Sequence, residues 1–405
     1  MPGILDGLRV VEGSAFVAAP FAGVTLSQLG ADVIRFDPIG GGLDYTRWPI
    51  TEDGKSLFWH GLNKGKRSIQ VDLRSPRGQE ILTQLITAPG EDAGMFLTNF
   101  PARGWLAYES LKQHREDLVM VNVMGDRHGG SAVDYTVNPG SGFACATGPV
   151  DNPDPTNHVL PAWDCTTGQM AVVGLLAAER HRRRTGEGQL VKVALADVAK
   201  AMLGHLGNIA EVQINNFDRP KYGNYLYGAL GRDYVTRDGR RVMMVALTPR
   251  QWKGLCEATG LREAFDQLGE QMQMNFRDEG HRFRARDELS AILERWFSER
   301  TYDEIEELFS ANGVCWSPYR SFKQVVETDP DCSLDNPMFS MVHQPGIGDY
   351  LMPAAPLCFG AADRGQAVRA PLLGEHTDAI LGDLLGLSGT QIAELHDQKV
   401  VAGPS

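Results

Sequence analysis

The chain has 405 residues, 42% apolar and 22% charged, which is the balance of a folded globular protein and excludes a disordered or fibrous one. Its formal net charge of −12, from 39 basic and 51 acidic residues, argues against a nucleic-acid-binding surface but leaves room for a local basic pocket. The longest apolar stretch, AVVGLLAA, is far short of the ~20 residues of a membrane span.

The start, MPGILDGLRVVEG, lacks a secretory signal, so a cytoplasmic protein with reduced thiols is expected. No two of the six cysteines form a CxxC pair and no histidine pair has a metal-binding spacing, so no metal is expected.

In chain order, LRVVEG reads as a strand and SAFVAAPFAGVTLSQLG as a loop and helix, with Pro20 near its first turn and Gly30 past its end. ADVIRFD is a second strand, so the two need a parallel crossover. Asp37 ends this strand where a ribose-binding acid could sit. The loop EGSAFVAAP nevertheless lacks GxGxxG, which argues against a dinucleotide. NKGKRSIQVDLRSPRGQEILTQLI adds a basic loop, a strand and a helix, and AGMFLTNF another buried strand. Helices and strands alternate to about residue 130, the pattern of a doubly wound α/β sheet. An irregular stretch rich in Gly, Pro, Asn and Asp then runs to Asp164. Stretches of that length inside a domain are usually functional or disordered.

Asp164 opens an apolar helix that closes on the basic run RHRRR. Its carboxylate can be an N-cap, or it can carry chemistry. A strand, QLVKVAL, and a helix from about 197 to 213 come next. NNFDRPKYGNYLYGALG reads as a linker. RDYVTRDGRRVMMVAL reads as a hairpin turning at Asp238-Gly239, and two or three amphipathic helices reach about Asn312. From Phe322 the chain is loop-rich until a C-terminal helix in PLLGEHTDAILGDLLG.

A serine nucleophile in GxSxG is absent. Lys64, Lys66 and Arg67 sit in a loop that could hold phosphates. Arg103 and Arg47 come after strands, where open α/β sheets bind ligands.

The segments LDGLRVVEG, LGADVIRFDPIGGG, NKGKRSIQVDLRSPRGQE, TNFPARG, AERHRRRTGEGQLVKVAL, GNYLYG and LLGEHTDAIL, in order across nearly the whole chain, resemble the class III coenzyme A transferase family. EGSAFVAAP, GGGLDYTRWP and HVLPAWD are similar to the branch that moves CoA between the two carboxyl groups of one mesaconate molecule.

The resemblance implies a Rossmann-like large α/β domain built from both chain ends, a smaller α+β middle domain, and an interlocked homodimer. Its boundaries fall at 1–213 for the first part of the large domain, 214–230 for a linker, 231–320 for the small domain, and 321–405 for a linker and the return. It implies Asp164 as the catalytic nucleophile, forming an aspartyl-CoA thioester. CoA contacts fall on Phe16, Val17, Ala18, Leu73, Asn99 and Arg103, and on a lysine that is Lys64 or Lys66, taken here as Lys66. Coenzyme A enters as part of the substrate, with no tightly bound cofactor. Arg47, Tyr135 and His343 are candidates for the distal carboxylate, and amides at the Asp164 helix start for the oxyanions.

Two departures narrow the chemistry. Val133 precedes Asp134 where the racemase branch has a histidine, and His128 is out of register. The glycine loop of the formate-handling members shrinks to Gly228 and Gly231. The alternatives are an intermolecular CoA transferase for another dicarboxylate and, behind it, a racemase.

Overall fold

The computed structural model describes residues Gly3–Pro404. They fall into two compact units. The first takes in the chain up to Ser141, His158–Asn215 and the C-terminal stretch from Pro330; the second takes in Gly142–Asn157 and Asn216–Asp329.

The first unit is built on a seven-stranded sheet. Its strands are β1 (Arg9–Gly13), β2 (Asp32–Asp37), β3 (Arg67–Val71), β4 (Met95–Thr98), β5 (Val119–Met124) and β6 (Gln189–Ala194), all parallel, with a short C-terminal strand, Val401–Ala402, antiparallel to β3 at one edge. The central strands read as near-continuous apolar runs, such as MFLT in β4, because both sheet faces are covered. Spatial order runs from the edge strand through β3, β2, β1, β4 and β5 to β6. The direction of winding therefore reverses between β1 and β4. The loops leaving the carboxyl ends of these two strands part there, and open sheets bind ligands in that crevice.

Three helices position the residues around this crevice. Helix α1 (Ala18–Gln28) returns from β1 to β2, and Gly30, at φ 106, lets the chain turn back after it. Helix α2 (Pro76–Ile86) starts with Pro76 after a Ser75 cap and buries Ile81, Leu82, Leu85 and Ile86. Helix α3 (Ala162–Thr185) leads into β6. The main core joins Val11, Ile34, Phe36, Ile69, Phe96 and Met120 of the strands to α2 and to Ile380, Leu381, Ile392 and Leu395 near the C-terminus.

The second unit holds an antiparallel sheet, β7 (Leu230–Val235), β8 (Arg241–Ala246) and β9 (Cys315–Pro318). Five helices, Pro249–Thr259, Arg262–Met272, Glu279–Arg284, Arg286–Ser298 and Tyr302–Asn312, join β8 to β9, where the sequence suggested two or three. Aromatic packing among Tyr234, Trp252, Phe265, Trp296, Phe297 and Phe309 gives this unit its own core. In the first unit, the stretch expected to be loop-rich after Phe322 contains a hairpin of β10 (Phe339–Gln344) and β11 (Gly348–Pro353).

Candidate active site

The crevice at the β1–β4 reversal is tightly built. Gly13 and Thr98 are register partners, and the Thr98 hydroxyl donates to the Gly13 carbonyl at 2.6 Å. One residue on, Asn99 clamps the β1 loop from both sides: its Oδ1 accepts from the Ala15 N–H at 3.0 Å and its Nδ2 donates to the Ala15 carbonyl at 2.7 Å. Phe16 then adopts φ 67, a conformation that costs a non-glycine residue on the order of 1 kcal/mol. The buried Asp44 holds it there, accepting from the Phe16 N–H at 3.0 Å.

Asp44 belongs to a buried charge network. Its other oxygen takes the Arg35 guanidinium at 2.9 Å, and Arg35 also forks onto Asp37, with both contacts at 2.9 Å. Burial opposes the Arg35 charge, but Asp37 and Asp44, with Glu12, outweigh it and hold its pKa above the ordinary value. Asp37 is thus the partner of an arginine rather than a ribose ligand.

Lys66 closes the network from below, donating to Glu12 at 2.8 Å, to the Pro20 carbonyl at 3.0 Å and to Asn63 at 3.1 Å. Burial pulls its pKa down to about 8, with Glu12 opposing and Arg35 adding to the fall. A 3% exposed ammonium with three acceptors is not presented to a phosphate, so the structure sets Lys66 under α1 as a structural charge. Lys64 is no substitute, because it lies at the other end of α1 from Phe16.

Asp164 enters from α3. It is the third residue of that helix, yet it is not the cap: Pro161 holds the N-cap position and has no side-chain bond. The cap comes from thirty residues upstream. Asp134, 1% exposed, accepts from the Trp163 N–H at 2.7 Å and the Asp164 N–H at 3.1 Å with one oxygen. Its other oxygen meets His158 Nε2 at 3.0 Å. The Cys165 N–H bonds Pro161 at 3.0 Å. The first-turn amides of α3 are therefore occupied, and the expectation that they stabilise an oxyanion is corrected.

Released from capping, the Asp164 carboxylate accepts no hydrogen bond from the described residues. Burial pushes its pKa up to about 7, the Asp134 charge adds to the rise, and Arg47 opposes it. The guanidinium of Arg47 stands 5.6 Å from the Phe16 ring centroid and 5.3 Å from that of Phe58.

One contact explains how α3 meets α1. Gly168, one turn after Asp164, lies so close to α1 that a Cβ there would sit 2.7 Å from the Ala18 carbonyl oxygen and 3.0 Å from Phe21. Residues four apart share a helix face. Asp164 is thereby directed toward the start of α1, where Phe16, Val17 and Ala18 lie and where the helix has no side-chain cap.

The other candidates separate. Arg103 is exposed, just beyond the end of β4, and makes no ion pair among the described residues. Leu73 comes just after β3 and packs partly buried on the main core. The Tyr135 hydroxyl donates to the Val159 carbonyl at 3.1 Å, bracing the segment before Asp164. His343 is paired to Asp349 at 2.8 Å within its own hairpin. Sequence reasoning missed Asp134, His158 and Asp44 as site residues; of these only Asp134 carries a signal, its place next to the position where a histidine is missing. Among the described residues no group of three or more His, Cys, Asp or Glu side chains is placed to hold a metal ion, and no helix is long and apolar enough to cross a membrane.

The chain matches the model of CoA-transferase family III over residues 5–377. It is 66% identical over 405 residues to 2-methylfumaryl-CoA isomerase of Chloroflexus aurantiacus, covering 100% of this chain and 99% of that protein. It is 29% identical over 414 residues to the succinyl-CoA–D-citramalate CoA-transferase of the same organism, covering 99% and 98%. A solved CAIB/BAIF family protein from Brucella suis superposes with a TM-score of 0.76 at 26% identity, covering 95% of this chain and 100% of that one. The chain is a member of CoA-transferase family III.

Proposed function

We propose that this protein is a CoA transferase acting as an isomerase, which moves CoA between the two carboxyl groups of a single bound mesaconate and so converts 2-methylfumaryl-CoA into 3-methylfumaryl-CoA. The observation that carries the reading is the 66% identity, over the full length of both chains, to 2-methylfumaryl-CoA isomerase. The reading is supported at Asp164 by a carboxylate relieved of capping and raised in pKa.

In this reading the Asp164 carboxylate attacks the thioester carbonyl, forming a mixed anhydride and releasing CoA thiolate. The thiolate attacks the aspartyl carbonyl and breaks the anhydride, leaving an aspartyl-CoA thioester and a free dicarboxylate. The dicarboxylate stays and turns its other carboxylate on the aspartyl thioester, giving a second anhydride and thiolate. The thiolate then attacks the substrate carbonyl of that anhydride, forming the isomeric thioester and restoring Asp164. A retained acid reacts at a high effective molarity, which favours internal over external transfer. Arg47 is the group for the distal carboxylate, since it is a cation whose field already reaches Asp164. Phe16, Val17 and Ala18, with Asn99 behind them, receive the pantetheine end of CoA, and Leu73 and Arg103 border the same strand ends. Coenzyme A takes part only as a piece of the substrate.

Two copies interlock in the working enzyme. The helix Asn208–Asn215 supports this, because it buries none of its residues within the chain and leaves Ile209, Val212 and Ile214 exposed. A cytoplasmic site fits a substrate of this kind and thiols kept reduced.

The test is to incubate the protein with 2-methylfumaryl-CoA and no free acid, and to resolve the CoA esters chromatographically. Appearance of the 3-methyl ester is the expected result. A requirement for an added acceptor acid would replace the isomerase with an intermolecular transferase, the activity named for the 29% identical relative.

A further inference from the structure

A cavity lies at the far end of helix α1, away from Phe16. The eleven residues of the helix rise about 16 Å, so the Ser27–Gly30 end is well removed from Phe16 and Ala18. The cavity there has a volume of about 510 Å³, within the ~300–1,000 Å³ of small-molecule sites. The helix end forms one wall, the Lys64–Gly65 turn another, and the segment from Ala355 to Val368 the third.

The lining divides by chemistry. Leu29, Leu357, Phe359 and Val368 form an apolar side, and Leu357, Phe359 and Val368 are 50%, 40% and 57% exposed. Two cations form the other side. Lys64 has no hydrogen bond or ion pair among the described residues, and burial holds its pKa below the ordinary lysine value. Arg364 makes no ion pair either: one terminal nitrogen touches the Cys358 sulfur, and its Nε is buried with no partner. One exposed carboxylate, Asp363, also lines the cavity and pairs with neither cation.

A largely buried lysine and an arginine with a buried, unpartnered Nε, neither of them ion-paired, are costly, and an anion placed between them would relieve both. We propose that this cavity is a second ligand site, for a small organic anion with an apolar body, separate from the Asp164 crevice. Inorganic anions alone would leave the apolar side uncovered, and neutral apolar molecules would leave the cations unpaired. The site does not depend on the isomerase reading, since none of its lining residues belongs to that machinery.

The test uses 1-anilinonaphthalene-8-sulfonate as probe on the full-length protein at saturating CoA, which keeps the catalytic crevice filled. The expected result is saturable fluorescence enhancement at one site per chain, weakened roughly tenfold or more in Lys64→Met and in Arg364→Met. Octanoate should displace the probe, and inorganic phosphate should not. Arg364 lies in a connecting segment, so its variant carries the test should Lys64→Met fail to fold. Saturable probe binding that is seen without CoA and lost at saturating CoA, unchanged binding in Arg364→Met, or competition by phosphate equal to that of octanoate would each overturn the proposal.

Discussion

At the scale of single residues the site turns on two carboxylates with divided tasks. Asp134 caps helix α3 and pairs with His158, which leaves the Asp164 carboxylate free of capping and beside a like charge. On the proposed mechanism Asp164 acts as the carboxylate, so kcat/KM should rise with pH and level off above about 7. Asp134→Asn keeps an acceptor for the helix amides but removes the charge. The acid limb of the pH profile should then move to lower pH, and an unmoved limb would show that Asp134 acts only as a cap. Linkage gives a second expectation. The folded Asp164 pKa lies above its unfolded value near 3.8, so the folded protein keeps the proton longer and loses stability as pH rises between those values. Asp164→Asn should therefore unfold later than the parent at pH 8, by on the order of 2 kcal/mol, with little difference at pH 4. The same variant should be inactive in the ester-resolution assay.

At the scale of elements, the α1–α3 approach directs the Asp164 side chain, the proposed nucleophile. Gly168→Ala would place a methyl group 2.7 Å from the Ala18 carbonyl and force the two helices apart. The expected outcome is a fall in kcat of at least about tenfold with Tm lowered by a few degrees, measured by turnover and thermal melts. Intact turnover would mean that the helix contact does not position Asp164. This scale also marks where the sequence was readable. β1 to β5 and α1 were legible because buried parallel strands alternating with a helix leave a strong apolar pattern, and the partly buried β6 keeps the apolar residues of QLVKVA. The start of α3 was misleading because its cap lies thirty residues upstream, and no local signal ties Asp134 to it. The helix expected over 197–213 breaks at Gly207, φ 81, into Leu195–His205 and Asn208–Asn215. The two-residue edge strand Val401–Ala402 is too short to show any period. Lys66 looked like a loop cation, and only the tertiary fold turns it inward to Glu12.

At the scale of the whole molecule, the resemblance reached further than periodicity could. Alternating strands and helices indicated an α/β sheet, but the return of the C-terminal chain to that sheet, through Ile380, Leu381 and Val401, has no local signature. One of the additional helices in the second unit arises because Glu279–Arg284 and Arg286–Ser298 are split by one residue, Ala285. The exposed apolar helix Asn208–Asn215 has a consequence at this scale. If this helix forms the contact of the proposed dimer, Ile209→Asp combined with Val212→Asp should shift light scattering from two chains to one, or leave the protein insoluble. A soluble dimer of unchanged mass would remove this helix from the subunit contact.

If Asp164 is the nucleophile, it carries CoA itself during turnover. The most direct test is to add hydroxylamine to the enzyme in the presence of 2-methylfumaryl-CoA, digest it, and map the modified peptide by mass spectrometry. The expected result is a hydroxamate on Asp164, formed only with thioester present and accompanied by loss of activity. A protein that keeps turning over with Asp164 unmodified, or that is modified at another carboxylate, would contradict it.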